Sequence, residues 1–408
     1  MIRTLRSLAL LAILSAIPLG LCACSGPTKA GLDARKETNE RFNAPRANLA
    51  AQQARQAFDV GNLKEALAQI DGAVMLQPTN PDHLVMRGRI LIEMQRLGEA
   101  EEAFKGALAL KADHGDANYY SGVVHQRWSN FDDALGRYQA AYASDDSNLA
   151  YLLAVIETQI SLRQLEEAWS TAQASLARFE NDSQLHQAMG HIALLQSKPE
   201  VAVEQFRRAL ILSPDDPNIG FNLANACLQA RQYDKAEQAV DRLLQNATGD
   251  LRLDLLHIKA RCLSATNRLV EARFAYLDLT QADPSNVEAW YELGIVAYQL
   301  GDTRRFAEVV NTTTSRWPQR YEGYVLQGML FEARNDYQTA EQSYTAACRL
   351  SDNSSDAVVL LARNLMNQGE HARAQELLET LLTREPENQQ AQSLRDSLTK
   401  LTSAPDGQ

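Results

Sequence analysis

Small and apolar positions return along this chain at a fixed interval far longer than a helical turn. Alanine stands at positions 66, 100, 134, 168, 202 and 236, each 34 residues from the last. After a two-residue insertion it returns at 272. The period then resumes through position 306, where Phe306 replaces it, to Ala340 and Ala374. Other columns keep the same spacing. Twelve residues before those alanines lie Gly88, Gly122, Gly190, Gly294 and Gly328, with Ala54, Ala224, Ala260 and Ala362 in the same column. Four residues after them come Phe104, Tyr138, Phe206, Tyr276 and Tyr344, and twelve after come Pro78, Pro214, Pro284, Pro318 and Pro386. Self-similarity at this period is the signature of a repeat architecture. Near the end, Leu394, Leu398 and Leu401 form an i, i+4, i+7 stripe among polar residues. That predicts a capping helix over residues 389–402, one face in the stack and one in water. Residues 403–408 read as a disordered tail. At the other end, residues 25–46 mix Gly, Pro and charge without an apolar period, which predicts a flexible tether.

The columns of a small residue, an aromatic, further small residues and a closing proline resemble the tetratricopeptide repeat, over residues 47–388 and about ten units. The resemblance implies an all-α fold: a right-handed superhelix, or α-solenoid, of helix-turn-helix repeats. Each unit is then a pair of antiparallel helices, A and B. Small residues at its 8th and 20th positions let A and B approach, and the aromatic at the 24th fills the space beside them. The proline ends helix B. Gly61, Gly301 and Gly369, with Asn267 and Asn335, fall in the A–B turn, where a positive φ is expected. Units four and eight depart most. Unit four has Ile156 in the small column and Ala172 in the aromatic column, and unit eight has Phe306, which predicts a distorted or rotated packing there.

A second pattern precedes the repeats. Arg3 and Arg6 lead into an apolar stretch over residues 8–21, too short for a membrane-spanning helix and suited to a secretory signal. Leu21-Cys22-Ala23-Cys24 then resembles the lipobox of bacterial lipoproteins, with Cys24 as the lipidated residue. An ordinary signal peptide with incidental cysteines is the alternative. The resemblance implies a signal over residues 1–23, a lipidated start and tether over 24–46, and several acyl chains as a firm anchor. Ser25, where inner-membrane retention typically uses Asp, favours the outer membrane, periplasmic face.

Composition narrows the function. Hydrophobic residues are 45% and charged residues 22%, and Gly (20) and Pro (12) are sparse, as short turns between helices require. The formal charge of −11, which becomes −13 without Arg3 and Arg6, disfavours nucleic acid as a partner. Seven histidines show no metal-binding spacing, and no phosphate loop or nucleophile elbow is present, so neither metal, cofactor nor small-molecule substrate is expected. Cys227 and Cys262 occupy near-equivalent positions on adjacent A helices, where a disulfide is conceivable. Buried free cysteine packs as a small hydrophobe, and that reading is preferred.

Binding remains. In the tetratricopeptide family the inner groove is lined mainly by helix A positions 2, 5, 9, 12 and 13. Carried over, these give Arg89, Tyr119, Arg127, Gln187, His191, Asn218, Phe221, Asn225, His257, Arg261, Tyr291, Tyr298, Arg363 and Asn367. Aromatic and Arg residues dominate binding hot spots, so the set reads as a peptide-binding lining. The carboxylate clamp of tetratricopeptide co-chaperones is absent: Asn225 matches, but Phe221 stands in the Lys position and Glu288 and Glu292 replace cations. The expectation is a non-enzymatic, lipid-anchored scaffold, similar to lipoproteins of pilus assembly and secretin-dependent export. Its partners would be pilus, secretin or other envelope-assembly subunits, reached from the membrane through the N-terminal lipid. Regulation of cell-wall synthases or proteases, or exopolysaccharide export, are the alternatives.

Overall fold

The computed structural model describes residues 29–403; the expected signal, Cys24 and residues 404–408 lie outside the described residues. Among the described residues there are 21 α-helices and no strand. They fall into two units, divided between Leu162 and Arg163. The first unit holds α1 (Lys29–Asp59), α2 (Leu63–Leu76), α3 (Pro81–Glu93), α4 (Leu97–Leu110), α5 (Gly115–Arg127), α6 (Phe131–Ser144) and α7 (Leu149–Ser161). The second begins with α8 (Leu165–Ser175), α9 (Ser183–Leu195), α10 (Pro199–Leu212), α11 (Pro217–Gln229), α12 (Tyr233–Leu244), α13 (Gly249–Ala265) and α14 (Leu269–Ala282). It continues with α15 (Val287–Gln299), α16 (Thr303–Arg316), α17 (Tyr321–Glu332), α18 (Tyr337–Leu350), α19 (Ser355–Asn367), α20 (His371–Arg384) and α21 (Gln389–Ser403). Odd-numbered helices through α19 are the A helices and even-numbered ones the B helices of successive hairpins.

The tether expected over residues 25–46 is helical from Lys29 onward, because α1 runs without a break through Pro45 to Asp59. Pro45 deprives the helix of one N–H, a cost of about 3 kcal/mol or more in an interior position. Helix propensity of the Ala-, Lys- and Glu-bearing segment offsets part of that. The low apolar content of residues 25–46 correctly signals little packing, but it does not prevent helix.

Helix starts follow a column that the apolar pattern conceals. Asn80, His114, Asn148, Asp182, Asp216 and Asn286 each precede an A helix and accept a backbone N–H from its first turn. Such caps are worth about 0.5–2 kcal/mol each. The two-residue insertion is taken up where the column lapses. There α12 has 12 residues and α13 has 17, starting at Gly249 with φ +57° and no side-chain cap.

The A–B turns are equally regular. Gly61, Gln95, Ser129, Arg163, Ser197, Arg231, Asn267, Gly301, Asn335 and Gly369 all have φ between +57° and +80°. Half of these carry side chains that the left-handed region does not favour. The turn is imposed by the packing of A on B rather than chosen by the residue.

Close A–B approach is visible atom by atom. A methyl group added to Gly122 would stand 2.7 Å from the Tyr138 ring, and one at Gly190 2.7 Å from Phe206. Gly88 faces Phe104 and Gly328 faces Tyr344 in the same way. All four rings are at most 1% exposed. Where the column holds Ala54, Ala224 or Ala362, the residue sixteen positions on is Ile70, Val240 or Leu378, and each pair shares a core cluster. A small ring partner permits the extra methyl. Phe306 is buried in unit eight as its column requires, at 2% exposure. The aromatic column there holds Val310, and the B-helix atom nearest Gly294 belongs to Val309, with Leu326 of α17 closer still. Bulk has moved from the 24th position to the 20th, and the contact on Gly294 has shifted by one residue.

Candidate functional site

A repeat hairpin buries the inner side of its A helix against B and leaves the other side to meet the A helices before and after it. On this face one register recurs. Phe58, Arg89 and Tyr120 are 31 residues apart in succession, and the Arg89 guanidinium lies 5.6 Å from the Phe58 ring and 4.9 Å from the Tyr120 ring. His191 meets Asn222 at 3.3 Å, His257 meets Glu288 at 3.9 Å and Glu332 meets Arg363 at 3.2 Å, each again 31 apart. The repeat is 34, so a side chain reaches the residue one turn short of its own equivalent. Adjacent A helices are therefore stacked with an axial offset of about one turn, 3.6 residues.

In the first unit this register builds a cavity of about 590 Å³ lined by Phe58, Arg89, Glu93, Tyr120, Val123 and Arg127. It joins two of the expected groove residues, Arg89 and Arg127. Arg89 is held by its two rings, a cation–π arrangement worth about 0.5–1 kcal/mol or more per ring. Arg127 donates to the Ile92 carbonyl at 3.3 Å. Tyr119 goes elsewhere. Its ring lies 5.1–5.5 Å from the rings of Tyr120, Tyr138 and Tyr151, and the Tyr151 hydroxyl donates to Asp116 at 2.6 Å. Tyr119 thus packs in an aromatic cluster beside the cavity.

In the second unit the expected residues form separate groups. Gln187 is half-buried on α9, and His191 sits edge-on to Phe206 with ring centroids 5.1 Å apart. On α11, Asn218 is exposed in the first turn, while Phe221 is half-buried against the core and Asn225 accepts from Gln229. His257, Arg261 and Tyr291 come together around α13 and α15, where burial pushes the His257 imidazole down against the pull of Glu288. Burial also raises the Tyr291 phenol and the Glu292 carboxyl above their ordinary values. Tyr298 is exposed and rests its ring 5.3 Å from Phe306. Arg363 and Asn367 both donate to the Glu332 carboxylate, which also accepts from Tyr344 at 2.8 Å. Those two are engaged within the chain, so they brace adjacent A helices.

Several participants escaped the groove positions: Phe58, Tyr120 and Tyr276. An aromatic 31 residues before and 31 after an arginine is a usable signal for the first two, but only once the register is known. Cys227, Cys262 and Cys348 are free and buried, and burial pushes the thiols of Cys262 and Cys348 up to about 11. Ser121, Glu101 and His125 form a chain in which Ser121 donates to Glu101 at 2.8 Å. Ser121 is fully buried, so this is an interior polar link.

Antiparallel hairpins with a fixed 34-residue period, small-on-aromatic A–B contacts and an offset A-helix face define a class, the helical-hairpin repeat scaffold. Two profiles described as tetratricopeptide repeat match the chain, one at residues 51–117, 85–145, 259–313 and 291–355 and the other at 193–257 and 332–398. The chain belongs to the tetratricopeptide repeat family and is a scaffold for protein–protein interaction. It is 24% identical to Tetratricopeptide repeat protein 8 of Caenorhabditis elegans over 168 residues, 41% of this chain and 33% of that one. It is 23% identical to human Protein O-mannosyl-transferase TMTC3 over 271 residues, 64% of this chain and 29% of that one. The chain thus spans a third or less of the length of these two curated relatives. It is 25% identical to the Type IV pilus assembly protein PilF of Pseudomonas aeruginosa over 182 residues, 44% of this chain and 71% of that one.

Proposed function

We propose that this protein is a lipid-anchored scaffold on the periplasmic face of the outer membrane. There it binds subunits of a pilus or a secretin-dependent export system through its A-helix face, by binding alone and without catalysis. The observation that carries the binding role is the cavity around Arg89. A stacked guanidinium beside a second one, Arg127, in a partly apolar recess is the residue chemistry of an interaction hot spot. The envelope address rests on the Leu21–Cys24 sequence, and the pilus reading rests on the similarity to PilF. The connections between helices are short turns that leave little room for a catalytic loop.

Two measurements test this. Outer membranes carrying the wild-type chain are cross-linked and the protein recovered, with Arg89→Glu alongside. Pilus or secretin subunits recovered by the wild type and lost with Arg89→Glu support the reading, whereas wall synthases or export-channel proteins in their place overturn it. Cys24→Ser should keep the fold and release the protein from membranes; sedimentation with membranes in high salt would exclude a lipid anchor.

A further inference from the structure

One stretch of the A-helix face is left electrostatically incomplete. In two repeats the buried tyrosine of the aromatic column donates its hydroxyl to the residue twelve positions earlier on helix A. Tyr138 donates to Gln126 at 2.7 Å, and Tyr344 donates to Glu332 at 2.8 Å. In the repeat of α13 and α14 the corresponding residue is Ser264. It comes near the Tyr276 hydroxyl but is too short to complete a hydrogen bond, although Tyr276 is fully buried. A buried polar atom without a partner costs about 1–3 kcal/mol, so such an atom in a native fold asks for an explanation.

The surroundings of that hydroxyl supply one. Arg261, Glu288 and Glu292 are the charges that act on it. The His257 ring is edge-on to the Tyr276 ring at 6.2 Å, and its buried Nε2 has no hydrogen bond, Glu288 standing 3.9 Å away. Other acidic residues on A helices of this unit have arginine partners: Glu322 pairs with Arg320, and Glu332 with Arg363 at 3.2 Å. Glu292 has neither an ion pair nor a hydrogen bond among the described residues, and it is partly buried between α13 and α15. Arg261 faces the same space from α13 without reaching ion-pairing distance of either carboxylate, its side chain exposed. The local balance of Glu288, Glu292 and Asp254 against Arg261 is negative. With His257 neutral, every unsatisfied atom here is a hydrogen-bond acceptor or, as the tyrosine hydroxyl, can serve as one.

We propose that Glu288 and Glu292, with the His257 Nε2 and the Tyr276 hydroxyl oxygen, form a subsite for one cationic side chain, arginine or lysine, carried by the protein segment that docks on this face. Its head would supply the N–H donors that the four acceptors lack, and the half-buried Tyr291 ring would flank its aliphatic stem. The inference rests on the binding role proposed above and specifies what that face reads.

The test uses the immobilised full chain and a display library of random decapeptides, sequenced after selection. The wild type should enrich arginine or lysine at one position about tenfold over neutral residues. That enrichment should vanish in Glu288→Gln/Glu292→Gln protein, whose unfolding midpoint is checked alongside. Peptides enriched without a basic preference would overturn the subsite and leave the binding role standing. A basic preference that persists in the double variant would also overturn the subsite. Enrichment of no sequence at all would overturn both.

Discussion

Replacing Gly190 by alanine puts the A–B approach to a quantitative trial. The added methyl would lie 2.7 Å from both Cε1 and Cζ of Phe206 and 2.9 Å from Cδ1. Carbon atoms settle about 3.5–4.0 Å apart, so the ring must retreat roughly 1 Å. Phe206 is fully buried in a close-packed interior and has nowhere free to go. Overpacking of this kind costs about 1–3 kcal/mol. Alanine returns about 0.8–1 kcal/mol of helix propensity relative to glycine. With three ring atoms inside contact distance the upper half of the overpacking range applies, and the net loss should be about 1–2 kcal/mol. The assay is equilibrium urea unfolding, run as a cycle with Phe206→Leu. Leucine at 206 recreates the pairing found at Ala362 and Leu378, so Gly190→Ala should then cost nothing or stabilise slightly. Additive effects, with Gly190→Ala costing the same in both backgrounds, would refute the argument, because only direct contact couples the two sites. Ala260 beside Tyr276 is a natural exception, and it occurs where the insertion lengthens α13.

Three further outcomes are expected. Gln95→Gly and Ser197→Gly, at turn positions with φ +60° and +58°, should each raise stability by about 0.5–1 kcal/mol in urea unfolding; a loss would mean the native side chains hold the turn. Burial lowers the His83 pKa, so the unfolded chain binds its proton first as pH falls. Stability should therefore be full above about pH 6.5 and decline below it, by at most about 1.4 kcal/mol per pH unit from this residue, and His83→Gln should flatten the decline. Beyond the two N-terminal cysteines, the three body thiols should resist a maleimide in native protein and react on unfolding, and rapid native labelling would contradict their burial.

The period of 34 residues fixes the fold without coordinates, because a hairpin with one apolar face has to bury it against a copy of itself. The small, aromatic and alanine columns were legible for the same reason. Each is a steric requirement of A on B, and Ala66, Phe104 and Ala202 are buried as their columns imply. The cap column from Asn80 to Asn286 was equally present in the letters, but polar residues of several types fill it, so periodic apolarity does not reveal it. The helical run from Lys29 was missed because helix needs no apolar face when propensity suffices.

The A-helix face depends on the offset between neighbouring helices, which no single repeat encodes. Position within the repeat correctly brought Arg89 and Arg127 to one cavity, yet it gave no sign that Arg363 and Asn367 are held by Glu332. Nor did it show that Ser264 leaves the Tyr276 hydroxyl unmet. Sequence alone determined which residues are buried between A and B, because that contact lies within one repeat and is copied in each. Only the tertiary structure decided which exposed side chains meet, because those meetings join residues 31 apart on different repeats, whose identities vary.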